Sequence, residues 1–484
     1  MKKKPNFIFI LTDDQGPWAL HCAGTEELST PNLDALAAEG LRFDNFFCAS
    51  PVCSPSRASI LTGKIPSAHG VQDWIRSGNI ARELCDGQDL FGDYSEERTP
   101  TQYLAGEKTY TDILSQHGYE CALSGKWHLG DSMNPQHGHS QWYTIGKGEV
   151  AYFQPDIIED GNITKREGYI TDLITDKALD FLHDFSHKES PFYLGVHYTA
   201  PHAPWGKEHH LEKYWQLYEG SQFKEMPNTA DHPDSVVNPV SSIPGERERL
   251  LTGYFAAISA MDAAVGRIVT QVSELGMGED TYIIFMSDNG MSMGHHGVWG
   301  KGNGTFPQNM YEEAIKVPCI FSCPSKIRAT GVCSTLVSQL DIFPTLLELA
   351  GINAEHGDKY RPGSSFVSLL GMESQGKFIE QDIIICEEYG PVRMIRTEGE
   401  KYIHRYPYGP HEYYDLHNDP EESRNLIDSP ACQHRIVGLR SRLEEWFLHY
   451  GDPLKDGLRE SNKGYGQMDR VGPNARVLHK FAPE

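Results

Sequence analysis

Asn6-Phe7-Ile8-Phe9-Ile10-Leu11-Thr12-Asp13-Asp14 decides the fold class. Its apolar run is unbroken, of strand length and without alternation, the pattern of a strand buried on both faces in a parallel sheet. It stops at two adjacent carboxylates, at the strand end where open α/β sheets place their ligands. Alone, an Asp-Asp pair is a solvated turn. The arrangement recurs, however. Residues 119–123 form a short strand followed by Ser124-Gly125-Lys126-Trp127-His128-Leu129-Gly130, and residues 191–196 another followed by His197-Tyr198-Thr199-Ala200-Pro201-His202-Ala203-Pro204. Residues 282–286 form a third, which ends in Ser287-Asp288-Asn289-Gly290. Glycines around Lys126 and His128 permit close backbone approach, and prolines around His202 fix its loop. Singly these are surface residues; together they gather chemistry at one edge of one sheet.

Around these strands the chain reads as scaffold. Residues 30–40 form a helix with Thr30 as cap, Pro31 in its first turn and Gly40 past its end. Residues 41–47 form a strand, 109–117 a helix, and 250–268 one apolar face of a long core helix. Residues 337–351 form a helix that closes the large domain. Further on, strands at 383–386, 392–396, 401–405 and 412–416 alternate with turns, and 436–450 is helical, which predicts an antiparallel sheet with one helix. The fold class is therefore α/β: a large, mostly parallel sheet flanked by helices over residues 1–375, and a smaller antiparallel sheet plus helix over 376–484. A chain of 484 residues is too long for one ordinary core. Residues 69–101 form a long surface excursion of the kind that carries function, 205–244 an insertion near the substrate mouth, and the polar tail from Asp452 has no readable role.

The net charge of −24 argues against nucleic acid or an anionic membrane as the main partner, so an anionic substrate requires a local cationic pocket. After Met1-Lys2-Lys3-Lys4 the apolar run is too short for a signal h-region, and no later segment reads as a membrane span; the default is a soluble cytoplasmic protein. The ten cysteines are scattered, with no C-x-x-C pair, as expected of reduced packing thiols. His295-His296 does not make a transition-metal site, because adjacent histidines point apart and no further ligand spacing supports it. Asp13, Asp14, Asp288 and Asn289 offer only hard oxygen donors, suited to Ca²⁺ or Mg²⁺, and a divalent cation would relieve the crowding of three carboxylates. Arg57, Lys126 and Lys301 add the cations an anionic ester requires.

Cys53-Ser54-Pro55-Ser56-Arg57, continued by Ala58-Ser59-Ile60-Leu61-Thr62-Gly63, holds the central residue. Pro55 places Cys53 at a helix N-terminus, where free N–H groups favour an anion, and Arg57 adds a planar donor fork one turn in. A lone cysteine here reads as buried packing. The whole string resembles the C-x-P-S-R signature of the type I sulfatases, in the alkaline phosphatase superfamily. The resemblance extends through Asp13-Asp14, Gly125-Lys126-Trp127-His128, Pro201-His202, Ser287-Asp288-Asn289-Gly290 with Lys301, residues 341–351, and the Tyr414-Asp415-Leu416 and Asn418-Asp419-Pro420 pieces.

The resemblance implies that a separate maturase converts Cys53 into formylglycine, whose hydrate binds the cation held by Asp13, Asp14, Asp288 and Asn289. One hydroxyl would attack sulfur while the metal, Arg57, Lys126 and Lys301 stabilise the sulfuryl oxygens. His202, with Lys301, would serve the leaving oxygen, and His128 would be the base that releases sulfate. The implied substrate is a small sulfate ester, of a mono- or oligosaccharide. The competing readings are a phosphonate monoester or phosphodiester hydrolase of the same superfamily and a non-catalytic anion-binding protein that keeps the thiol.

Overall fold

The computed structural model describes residues 4–482 apart from 354–357, 375, 389–390, 461, 463 and 477–479. Met1 to Lys3, parts of the segment joining the two sheets and parts of the tail lie outside the described residues. A ten-stranded sheet runs from Gly331–Cys333 through Leu41–Phe43, Cys319–Ser322, Thr281–Ser287, Asn6–Thr12, Phe192–His197, Glu120–Gly125 and His139–Ile145 to the hairpin Asp156–Glu159 and Asn162–Lys165. Its centre is parallel: Asn6–Thr12 pairs with Thr281–Ser287 on one side and Phe192–His197 on the other, which pairs in turn with Glu120–Gly125. Phe7, Ile8, Phe9 and Ile10 have no exposed surface, so the unbroken apolar run is the central strand, covered on both faces. One face packs against the helix Glu246–Glu274, in which Leu251, Tyr254, Ile258, Met261, Val265 and Ile268 are buried.

The second sheet is antiparallel and sequential: Ile383–Glu387, Val392–Arg396, Glu400–Arg405 and Glu412–Asp415. The helix Gln433–Tyr450 packs against it through Ile436, Leu439, Leu443 and Phe447.

Several boundaries differ from the sequence reading. Residues 41–47 are two strands, because the chain turns after Phe43 and Phe46–Phe47 pairs instead with Val337–Ser338 in a separate ribbon. That pairing and a short 3-10 turn delay the next helix to Ile342–Leu349. The insertion 205–244 supplies no side chain to the substrate cavity described below; it packs beside the loop that carries Lys301, with Val236 N–H on the Gly304 carbonyl (3.1 Å) and His232 N–H on that of Gly297 (2.9 Å). Glu246–Glu274 is long and apolar enough, by length and composition, to cross a membrane, but two thirds of its most apolar window (67%) is buried in the core.

Candidate functional site

Four loops leave the C-terminal ends of adjacent parallel strands and converge on Cys53. Helix Cys53–Thr62 begins at Cys53 itself, after the extended Val52, and all its residues are buried. Cys53 Sγ lies 3.3 Å from Asp13 Oδ1, 3.9 Å from Asp14 Oδ1 and 2.7 Å from Lys301 Nζ. The helix terminus does not make a thiolate here. Burial, and then the Asp13 carboxylate, push the thiol well above its ordinary range, so unmodified Cys53 is a poor nucleophile.

Asp13, Asp14, Asp288 and Asn289 are all buried within this cluster. Asp288 Oδ1 accepts the N–H of Asn289 at 2.8 Å, and its Oδ2 accepts Arg57 Nε at 2.9 Å. Asn289 Nδ2 donates to Asp14 Oδ1 at 2.9 Å, which fixes the amide orientation and leaves Oδ1 buried with no hydrogen-bond partner. Lys126 Nζ bonds Asp13 Oδ2, and Lys301 Nζ is 2.6 Å from Asp14 Oδ1. Burial works against a charge on Asp13, but Lys126, His202, Arg57 and Lys301 together hold its carboxyl well below the usual range. Burial and the nearby Asp13 push Asp288 up to about 6. Three carboxylates and one unsatisfied amide oxygen form an all-oxygen donor set whose electrostatics a hard divalent cation would complete. Asp13, Asp14 and Cys53 place their ligand atoms within 4.8 Å of one another.

His202 Nδ1 donates to the Ala203 carbonyl at 2.8 Å, turning Nε2 toward Asp14 Oδ2, 3.6 Å away. His128 Nε2 lies 3.1 Å from the Ile75 carbonyl, while Nδ1 is buried with no partner. Burial, aided by Lys126 and Arg57, holds His128 well below its ordinary value, so it is neutral. Cys53, Lys126, His128, His202 and Lys301 line one cavity of about 420 Å³, within the usual size of a small-molecule site. Arg57 lies beneath it: Nε is held by Asp288 and Nη1 by the Lys126 carbonyl (3.1 Å), while Nη2 is buried without a hydrogen-bond partner, 4.0 Å from Asp13 Oδ2.

All the residues singled out in the sequence therefore meet. Others were missed. Gln339 braces the Asp288 turn by donating to the Ser287 and Asp288 carbonyls at 2.9 and 2.8 Å. The cavity wall is completed by Trp74, Ile75 and Arg76, with Glu96 and Lys147 at its rim. Trp74 lies in the long excursion, whose length was its only signal. His295 and His296 do diverge: His295 faces Trp18 (5.1 Å), and His296 stacks on Tyr311 (3.8 Å) with Nε2 3.3 Å from Glu313.

A pocket lined by Lys126, Lys301, His128 and His202 over a carboxylate cluster that could hold a cation, at the strand ends of an alkaline phosphatase-like sheet, is the layout of a hydrolase of anionic esters. The sulfatase family model matches residues 5–352, and a model described as N-sulphoglucosamine sulphohydrolase, C-terminal, matches 294–448. The chain belongs to the sulfatase family and is a sulfuric ester hydrolase. It is 28% identical to an N-acetylglucosamine-6-O-sulfatase of Bacteroides thetaiotaomicron, over 93% of this chain and 87% of that protein. It is 30% identical to the N-acetylgalactosamine-6-sulfatase of Mus musculus, over 83% and 72% respectively. Among solved structures it resembles one in complex with its substrate D-glucosamine-2-N,6-O-disulfate (TM-score 0.76, 25% identity, 95% of this chain and 100% of that one). The family generally uses formylglycine and a divalent metal, and the acidic cluster beside Cys53 is where this chain would hold one.

Proposed function

We propose that this protein removes sulfate from a mono- or small oligosaccharide, with Cys53 matured to formylglycine and Ca²⁺, or Mg²⁺ in its place, at Asp13, Asp14, Asp288 and Asn289. The observation that carries the reading is the single cavity that joins Cys53 to Lys126, His128, His202 and Lys301 over that oxygen cluster. The matured side chain would supply a hydroxyl nucleophile, and the cation would lower its pKa and polarise a sulfuryl oxygen.

The chain's own groups do the rest. Lys126 and Lys301 would face the sulfuryl oxygens, each held in place by its own carboxylate, Asp13 and Asp14 respectively. Arg57 acts through Asp288, orienting it with the Nε bond and excluding water from below. His202 is at the cavity surface with Nε2 facing inward; since its Nδ1–H is taken by the Ala203 carbonyl, it would give a proton to the departing sugar oxygen from Nε2 as the imidazolium, with Asp14 Oδ2 3.6 Å away as counter-charge. His128 keeps a lone pair at Nδ1, because its Nε2 proton is committed to the Ile75 carbonyl; it is the group that accepts the proton as sulfate leaves.

Sugar as the alcohol is supported by the half-buried Trp74 ring on the wall beside the polar Arg76, Glu96 and Lys147, a combination that suits a hydroxylated ring better than a lipid. The relatives named above act on sulfated amino sugars. Ten free cysteines fit a reducing compartment, so the proposal places the enzyme and its maturase in the cytoplasm, acting on imported small saccharides. Sulfate release from glucosamine 6-sulfate, glucosamine N-sulfate, galactosamine 6-sulfate and choline sulfate tests the substrate class. Turnover of an amino-sugar sulfate is expected; a preference for choline sulfate would contradict it.

A further inference from the structure

The tail beyond Asp452, which carries no motif, returns to the catalytic pocket. Gln467 is fully buried and pairs with the wall loop around Ile75: its N–H donates to the Trp74 carbonyl (2.7 Å), and its carbonyl accepts the Arg76 N–H (2.9 Å). Its side chain is saturated by the same loop and by the tail. Oε1 accepts the Gln72 N–H at 2.8 Å, and Nε2 donates to the Gly70 and Asp469 carbonyls at 3.0 and 2.9 Å. The preceding Gly466 donates to Asp73 Oδ2 at 2.9 Å. Its φ of +100° is glycine's region, and a Cβ there would stand 2.7 Å from that of Arg76, so the tail lies flat against the loop.

Between those two pairings sits the Ile75 peptide, and both of its polar groups serve the active site. Its N–H donates to Ser54 Oγ (3.1 Å), next to Cys53, and its carbonyl receives His128 Nε2 (3.1 Å). A carbonyl only accepts, so this contact puts the imidazole proton on Nε2 and leaves Nδ1 as the lone pair.

We propose that Gly466 and Gln467 are positioning residues of the active site: by pairing on both sides of Ile75, the tail fixes the carbonyl that selects the tautomer and ring orientation of His128. The proposal rests on the reading of His128 as the base in sulfate release. Without this partner the Ile75 peptide would keep only the Ser54 bond and the packing of its buried side chain to hold its carbonyl for His128, and a general base loose by a fraction of an ångström loses much of its effect.

The test uses the full-length protein with Gly466→Ala and, because that change could disturb docking of the whole tail, Gln467→Ala, which removes only side-chain bonds. Before maturation, ¹⁵N spectra of His128 are expected to change from one tautomer to a mixture, and the Arg76 amide to exchange at least about tenfold faster. After maturation, kcat on an aryl sulfate is expected to fall about tenfold, with KM nearly constant. The same substitution made in a His128→Ala background is expected to cost no more than about twofold. Equal losses in both backgrounds, or an unchanged tautomer in both variants, would overturn the proposal. If the matured native protein released no sulfate, the functional reading would fail, while the tautomer and exchange measurements would still decide the tail's part in holding Ile75.

Discussion

Gly148→Ala probes the placement of His128 from the opposite side. Gly148 is half-buried on the cavity rim, with a backbone conformation open to alanine, so the substitution costs the fold little by itself. Its Cβ, however, would stand 2.2 Å from His128 Nε2 and 2.3 Å from Cε1. Contact normally begins near 3.5 Å, so the imidazole must move by about 1 Å. Nε2 is also the atom that bonds the Ile75 carbonyl at 3.1 Å, and that bond cannot survive the move. Losing it costs only about 1 kcal/mol of stability. A misplaced catalytic base costs far more in rate, on the order of 10²-fold. The assay is kcat on an aryl sulfate beside thermal unfolding of the same preparation. A fall of that size with Tm lowered by only a few degrees is expected. An unchanged kcat, or a rate loss that merely tracks unfolding, would refute the placement of His128 in the reaction.

Other expectations are as direct. Lys401 is fully buried between Glu312 (2.7 Å) and Glu422 (2.5 Å); Lys401→Met should cost about 3–5 kcal/mol in urea unfolding, and adding Glu422→Gln should recover part of it. His69 and His197 are buried and, chiefly through burial, stay neutral well below 6.5. The unfolded chain takes up protons there that the native state does not, so the stability they contribute is complete above pH 6.5 and drains away as pH falls below it. That loss is about 1.4 kcal/mol per pH unit for each residue, and His197→Gln should lessen the slope between pH 6.5 and 5 in urea titrations. Chelation should abolish turnover and lower Tm, with Ca²⁺ or Mg²⁺ restoring both and Zn²⁺ failing to, since the donor set is all oxygen. On matched aryl esters, the sulfate should be cleaved faster than the phosphonate; the reverse order would favour the phosphonate monoester hydrolase reading.

The parts of the site legible in the sequence are those that follow buried strands directly. Asp13-Asp14, Lys126 and His128, His202 and Asp288-Asn289 each sit a few residues past an apolar run, so the run predicts their address as well as their fold. Cys53 and Arg57 carried a motif of their own. Elements with split allegiance were not legible: residues 41–47 look like one strand because apolar content says nothing of the turn that sends Phe46–Phe47 to another partner. The helix Ile170–Ser186 is absent from the elements assigned above, although its buried Ile170, Ile174, Ala178, Phe181, Leu182 and Phe185 follow helical spacing. The wall residue Trp74 and the tail residue Gln467 are 393 positions apart and meet through backbone groups, which no side-chain pattern encodes.

The central claim is that Cys53 is the precursor of the nucleophile. Peptide mass spectrometry across residue 53, on protein from its own host or co-expressed with a maturase, should find formylglycine in place of the thiol. The same preparation should release sulfate from an aryl sulfate, with both signals absent in Cys53→Ala. An intact thiol in the presence of the maturase, with no sulfate released, would contradict the account and favour an anion-binding protein.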